Sequence, residues 1–94
     1  MYKFEKLTVW QESTKLVELC YLTAKKLPES ERFGLIDQLR RAATSVALNI
    51  AEGSGSSTDK EFLRYLYLAK KSLFEVITIL KLIEKLHQEV KPEN

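Results

Sequence analysis

The sequence predicts an all-α protein, an antiparallel up-down helical bundle in which three long helices are evident. Gly (3) and Pro (2) are scarce among 94 residues, so turns are few and the elements between them are long. Apolar residues recur at three- and four-residue spacing through three stretches, the period of helices with a buried face. Two breaks interrupt the pattern, one at Pro28 and one across 53–57. A chain of this length makes a single domain, 1–94.

The first helix is expected over about 8–27. Thr8 and Gln11 have capping-box spacing, the hydroxyl accepting from the Gln11 N–H and the amide reaching back. Leu7, Trp10, Thr14, Val17, Tyr21 and Ala24 form one stripe; Val9, Leu16, Cys20, Thr23 and Leu27 form an adjacent one. Pro28 stops the helix, because a residue before proline is pushed out of the α region. After a polar corner, the second helix is expected over about 33–52. Leu35, Leu39, Ala42, Val46 and Ile50 line its inner face with Ile36, Ala43 and Ala47. The small side chains at its centre let a neighbouring axis come toward the short end of the usual range of about 8–10 Å. Gly53 suits a left-handed C-cap.

The third helix is expected over about 58–86, opened by a second capping box from Thr58 to Glu61. Phe62, Leu66, Ala69, Leu73, Val76, Ile77, Leu80 and Ile83 carry its stripe. Its length of roughly 40 Å exceeds the roughly 30 Å of the other two, so it overhangs them or meets another chain. The tail from Val90 to Asn94 has no pattern and is expected to fray.

Composition excludes several function classes. Lys plus Arg is 15 and Asp plus Glu 13, a net charge of +2 that is weak for a protein that only coats nucleic acid. One Cys and one His cannot build an internal disulfide framework, a Cys-rich zinc site or a His-pair metal motif. No cofactor and no metal are therefore expected. No Ser–His–Asp or Cys–His constellation stands out, and the GSGSS loop lacks the lysine and spacing of a phosphate-binding loop, so no catalytic residue is assigned. The N-terminal stretch has no apolar signal core, and no run of about 18 apolar residues exists. No membrane association and a cytoplasmic location are the expectation.

The apolar surface is wider than three helices need. Leu63, Tyr65, Tyr67, Leu68, Phe74, Ile79 and Leu82 on the third helix, and Leu19 and Leu22 on the first, fall off the main stripes. Scattered surface apolars are normal. A helix apolar nearly all round, however, is buried on more than one side, so self-association through these second faces is expected.

Charge marks the candidate binding residues. Lys60, Arg64 and Lys71 align on one side of the third helix, Lys70 is displaced by one position, and Tyr67 lies near. Such a stripe is either a solvated face or a track for a phosphate backbone. Arg40 and Arg41 point about 100° apart. One of them can pair with Asp37 or Glu52, leaving the other for phosphate. Asn49 and Glu52, at the end of the second helix, suit capping, turn satisfaction or a subunit bridge. Cys20 reads as a small buried hydrophobe, and His87, in a last helical turn, as a surface histidine.

Several segments together carry a resemblance: Phe4-Glu5-Lys6-Leu7-x-Val9-Trp10-Gln11; Leu27-Pro28-x-x-Glu31-Arg32-Phe33-Gly34-Leu35; Gln38-Leu39-Arg40-Arg41-Ala42-Ala43-x-Ser45-Val46; Asn49-Ile50-Ala51-Glu52-Gly53; and Leu73-x-Glu75 with Thr78 and Leu80. In this order they resemble the four-helix bundle family of bacterial ribosomal-RNA intervening-sequence proteins, which includes the accessory protein of diversity-generating retroelements. The resemblance spans roughly 4–86 and makes Trp10, Gln38, Asn49, Glu52 and Gly53 motif residues. It implies a homopentameric barrel with a basic outer surface. For the retroelement member it implies binding to nucleic acid and to a reverse transcriptase. Two departures stand out. The family usually continues into a fourth helix where this chain reaches Asn94, which would expose one side of the bundle and bears on the pentamer. Lys71-Ser72 stands where the family usually has Gly-Ser, adding charge where close helix packing is expected.

Two functions follow. The first is a non-enzymatic oligomer that binds structured or hybrid nucleic acid, RNA or DNA, or a nucleic-acid enzyme, as an accessory scaffold. The alternative is a structural or protein-binding oligomer with no nucleic-acid partner; a small nuclease is a formal third.

Overall fold

The computed structural model describes residues 1–92. Three helices carry the fold: α1 (Thr8–Lys25), α2 (Leu35–Ser54) and α3 (Asp59–Leu86). A 3-10 turn at Lys3–Lys6 leads in, and another at Glu29–Glu31 makes the corner between α1 and α2. No strand occurs among the described residues. The molecule measures 45 × 23 × 20 Å, and its long dimension is the 28-residue α3. No helix among the described residues is long and apolar enough to cross a membrane.

The helix starts and stops differ locally from expectation. Leu7, not Thr8, is the N-cap of α1, and no side chain caps it. The leading 3-10 turn supplies another partner: Gln11 Nε2 donates to the Glu5 carbonyl at 3.0 Å. Phe4 packs edge-on against Trp10, with ring centroids 4.9 Å apart, which holds that turn to the helix. Proline ends α1 as expected, and Lys26 and Leu27 close the last turn through Thr23 and Ala24 carbonyls. Thr58 caps α3 by accepting from the Glu61 N–H at 3.1 Å. Gly53 is no left-handed cap. It lies buried inside α2, which runs on to Ser54, and no glycine has positive φ. A Cβ there would stand 2.6 Å from Tyr65 Cβ and 2.9 Å from Phe62 Cδ1, so α3 passes α2 at Gly53 too closely for a larger side chain without repacking.

α2 is the central helix. It packs along both α1 and α3, while no Cα of α1 comes within 8 Å of one in α3. Two cores result. The larger brings Cys20, Ala24, Leu39, Val76, Ile79 and Ile83 together near the α1–α2 corner. Full burial of a Leu or Ile side chain such as Leu39 or Ile83 contributes about 1.5–3 kcal/mol. The smaller joins Val46, Ile50 and Ala69 with the half-buried Leu7, Trp10, Leu16 and Leu66 near the α2–α3 loop. The buried row of α3 is Ala69, Val76, Ile79 and Ile83. Ile77 is therefore outside the core and Ile79 inside it, the reverse of the expectation, because the row follows a seven-residue repeat that drifts off the straight-helix stripe. On α1 the Cys20–Thr23–Ala24 edge is buried, while Tyr21 and Val9 are exposed.

The tail does not fray at its start. Val90 is buried in the larger core, and Lys26 Nζ donates to the Lys91 carbonyl at 2.9 Å. Glu93 and Asn94, the rest of the expected frayed tail, lie outside the described residues. Three helices in this order leave the fourth corner of a square bundle open. That corner is a trough between α1 and α3, floored by Val46 and Ile50 and edged by Val9 and Leu73.

Candidate nucleic-acid interface

The thirteen acidic and fifteen basic residues are not distributed alike over the surface. Three exposed pairs form locally on other elements: Lys15 with Glu12, Arg32 with Glu29, and Arg41 with Asp37. On the first half of α3, Lys60, Arg64, Lys70 and Lys71 are all exposed, and among the described residues none has an ion-pair partner. Asp59, Glu61 and Glu75 occupy neighbouring rows of the helix without reaching any of these cations.

The buried row of α3 fixes where the outward row must be. Two positions along a helix are about 200° around the axis, so the row two residues from the core row faces away from α2. Lys60, Arg64, Tyr67, Lys71, Phe74, Thr78, Lys81 and Lys85 occupy it, and every one is exposed. It holds five cations, two aromatics and no acid. Its span is about 37 Å at about 1.5 Å per residue. Lys81 has a local partner in Glu84 at 3.5 Å. The Lys71 ammonium lies 5.8 Å from the Tyr67 ring centroid, within cation–π range. The sequence pattern identified Lys60, Arg64 and Lys71 but missed the continuation to Phe74, Thr78, Lys81 and Lys85. The seven-residue repeat, read from the core row outward, is the signal that finds it.

Lys71 brings no charge into the helix contact. The close contact is made one residue on, where Ser72 Oγ donates to Ser45 Oγ at 2.9 Å. Asn49 Nδ2 donates to the Ser45 carbonyl and hydroxyl at 2.9 and 3.1 Å, so this motif residue buttresses the α2–α3 contact and does not cap the helix. The Glu52 side chain is exposed, and its carbonyl closes the end of α2 by accepting from the Gly55 N–H. Gln38 is exposed in the first turns of α2, and Trp10 packs in the smaller core.

Arg40 and Arg41 do not join the α3 row. Arg41 is held 3.8 Å from Asp37. Arg40 lays its guanidinium 5.2 Å from the Tyr21 ring centroid, bridging α2 to α1. Among the described residues neither arginine forms an ion pair with Glu52.

The remaining titratable groups are structural. Cys20 is buried, and burial raises its thiol pKa, as suits a packing residue. His87 departs from the surface reading: its side chain is only 16% exposed, and Nε2 lies 2.7 Å from Glu31 Oε2. The other Glu31 oxygen accepts from the Leu35 N–H at 3.2 Å and so caps α2. The His87 hydrogen bond first, then the Leu35 N–H, holds the Glu31 carboxyl below its ordinary range. Sequence spacing missed this clasp because its partners are 56 residues apart. Among the described residues, no group of three or more His, Cys, Asp or Glu side chains could hold a metal ion.

The model of the 23S rRNA-intervening sequence protein family matches residues 5–91. No curated protein matches the chain.

Proposed function

The chain belongs to the 23S rRNA-intervening sequence protein family, and from that premise we propose that it is a non-enzymatic, self-associating helical scaffold that binds nucleic acid along the outward face of α3. The observation that carries this reading is the exposed set Lys60, Arg64, Lys70 and Lys71 without acidic partners. An unpartnered cation row releases counterions from a phosphate backbone, and that release drives sequence-independent binding. A net charge of only +2 is compatible with this, because the basic residues act locally and repeat with each copy in an oligomer.

Self-association uses apolar surface elsewhere. Tyr21 and Leu22 on α1 and Leu48 on α2 are exposed around shallow hollows shared with Val17 and Ala47. Contiguous apolar surface of this kind marks a protein contact. Light scattering of the purified chain is expected to give a multiple of 10.9 kDa; a clean monomer contradicts this part.

The nucleic-acid part is tested by replacing Lys60, Arg64, Lys70 and Lys71 with Glu. Binding of labelled RNA or DNA at about 50 mM salt is expected in the parent protein and abolished in the variant. No binding by the parent protein overturns the reading and leaves the alternative, an oligomer with no nucleic-acid partner.

A further inference from the structure

Resting on the nucleic-acid reading above, we infer that the outward row of α3 binds unpaired strands, with Tyr67 and Phe74 as stacking platforms for bases and Lys60, Arg64 and Lys71 as phosphate contacts. Both rings are 59% exposed. Neither is needed by the core, which closes on the opposite side of α3. They are seven residues apart in one row, so their centres follow each other by about 10 Å along the axis. That is on the order of three base steps at about 3.4 Å each.

The surroundings of the rings are cationic. Arg64 lies three residues before Tyr67 and Lys71 four after it; Lys70 and Lys71 lie four and three before Phe74. Residues at these separations are neighbours on a helix surface, with Cβ atoms about 5–6 Å apart. Lys71 already stands beside the Tyr67 ring. Each platform thus has a cation within reach of the phosphate that flanks a stacked base. The Thr78 hydroxyl donates back to the Phe74 carbonyl at 2.9 Å, and no acid occupies the row.

Pairing state decides which nucleic acid fits. In a duplex the base faces are covered by their neighbours, and the deep, narrow major groove of A-form RNA excludes side chains. Against a duplex the two rings would meet sugar and phosphate and gain nothing. An unpaired strand offers a π-face at every base, and stacking on aromatics within a basic track is the general mode of single-strand recognition.

The test is fluorescence anisotropy with a labelled, unstructured oligouridine and a labelled RNA hairpin of equal nucleotide number. Replacing Tyr67 and Phe74 together by Ala is expected to weaken oligouridine binding by about 100-fold, tenfold for each ring, and to change hairpin binding less than about threefold. Tyr67→Phe, which keeps the ring, is expected to leave both unchanged. Oligodeoxythymidine is expected to behave like oligouridine, since neither stacking nor phosphate contact reads the sugar; a strict preference for RNA overturns the sugar-blind mode. Equal losses on strand and hairpin, or no loss on either, overturn the single-strand inference while the charge-reversal result still supports nucleic-acid binding. A change in the mass of the double-Ala variant by light scattering also overturns it, by making the row a contact between copies. If the parent protein binds neither probe, both the inference and the reading beneath it fail.

Discussion

The two ends of this bundle are built differently. At the α1–α2 corner, three helices and the tail meet: Leu39 and Ile83 are fully enclosed, Val90 folds in, and Glu31 joins the start of α2 to the end of α3 through His87. At the α2–α3 loop the core is thin, and Val46 and Ile50 floor an open trough between α1 and α3. At the closed end the Glu31 carboxylate is engaged by His87 and the Leu35 N–H. At the open end Lys60 and Arg64 stand exposed on α3, without ion-pair partners among the described residues. The larger core and the smaller one thus sit at opposite ends of the same long helix, and the exposed row Lys60 to Lys85 runs the length between them.

The sharpest way to break this contrast is in the cores. Leu39→Ala is expected to cost about 3–5 kcal/mol in denaturant unfolding, since the fully enclosed site leaves a cavity. Leu66→Ala, at the half-buried open end, is expected to cost about 1–2 kcal/mol, because less apolar surface is lost. Equal costs would erase the distinction. Next is Gly53→Ala. The added methyl must displace Tyr65 or Phe62 at the α2–α3 crossing, and over-packing of this kind costs about 1–3 kcal/mol. That outweighs a helix-propensity gain of up to about 1 kcal/mol, so the variant is expected to be less stable; a more stable variant means the crossing is looser than the contact distances indicate.

A gentler probe is acid. Glu31 has a folded-state pKa lowered from its ordinary 4.5. A carboxyl lowered on folding contributes stability that is complete above its unfolded value and lost as pH falls through the folded value. Thermal midpoints are therefore expected to fall as pH drops below about 4.5, and Glu31→Gln is expected to flatten part of that acid slope. An unchanged slope would mean that the clasp contributes nothing. The smallest effect belongs to the outward row: Tyr67→Ala is expected to change stability by no more than about 0.5 kcal/mol, as for a surface residue away from the core.

Helix number, order and type were legible in the sequence, because proline, the 53–57 break and the apolar period act locally. The inner face of α2 was legible too, with Leu35, Leu39, Ala42, Val46 and Ile50 all buried. What escaped was long-range or geometric. Glu31 and His87 meet only because three antiparallel helices return the chain to its corner. Gly53 reads as a helix stop by residue type, yet the approach of Tyr65 is what requires it. Ile77 and Ile79 exchanged places because two residues separate opposite faces of a helix, and a small drift in period moves one in and the other out. Lys60, Arg64 and Lys71 were visible as one row by spacing, with Lys70 beside it, but their lack of ion-pair partners depends on side-chain positions that spacing does not fix. Arg40 and Arg41 looked equivalent to that quartet in charge and were separated from it only by the Tyr21 and Asp37 contacts.

The salt dependence of strand binding addresses the role of α3 most directly. The three phosphate contacts of the outward row on a single strand correspond to a slope of log K against log salt of about −2 per protomer engaged. That slope is expected for the parent protein, with binding lost when Lys60, Arg64, Lys70 and Lys71 are replaced by Glu. A slope near zero, or the same slope and affinity in the charge-reversed protein, would contradict the assignment of nucleic-acid binding to the outward face of α3.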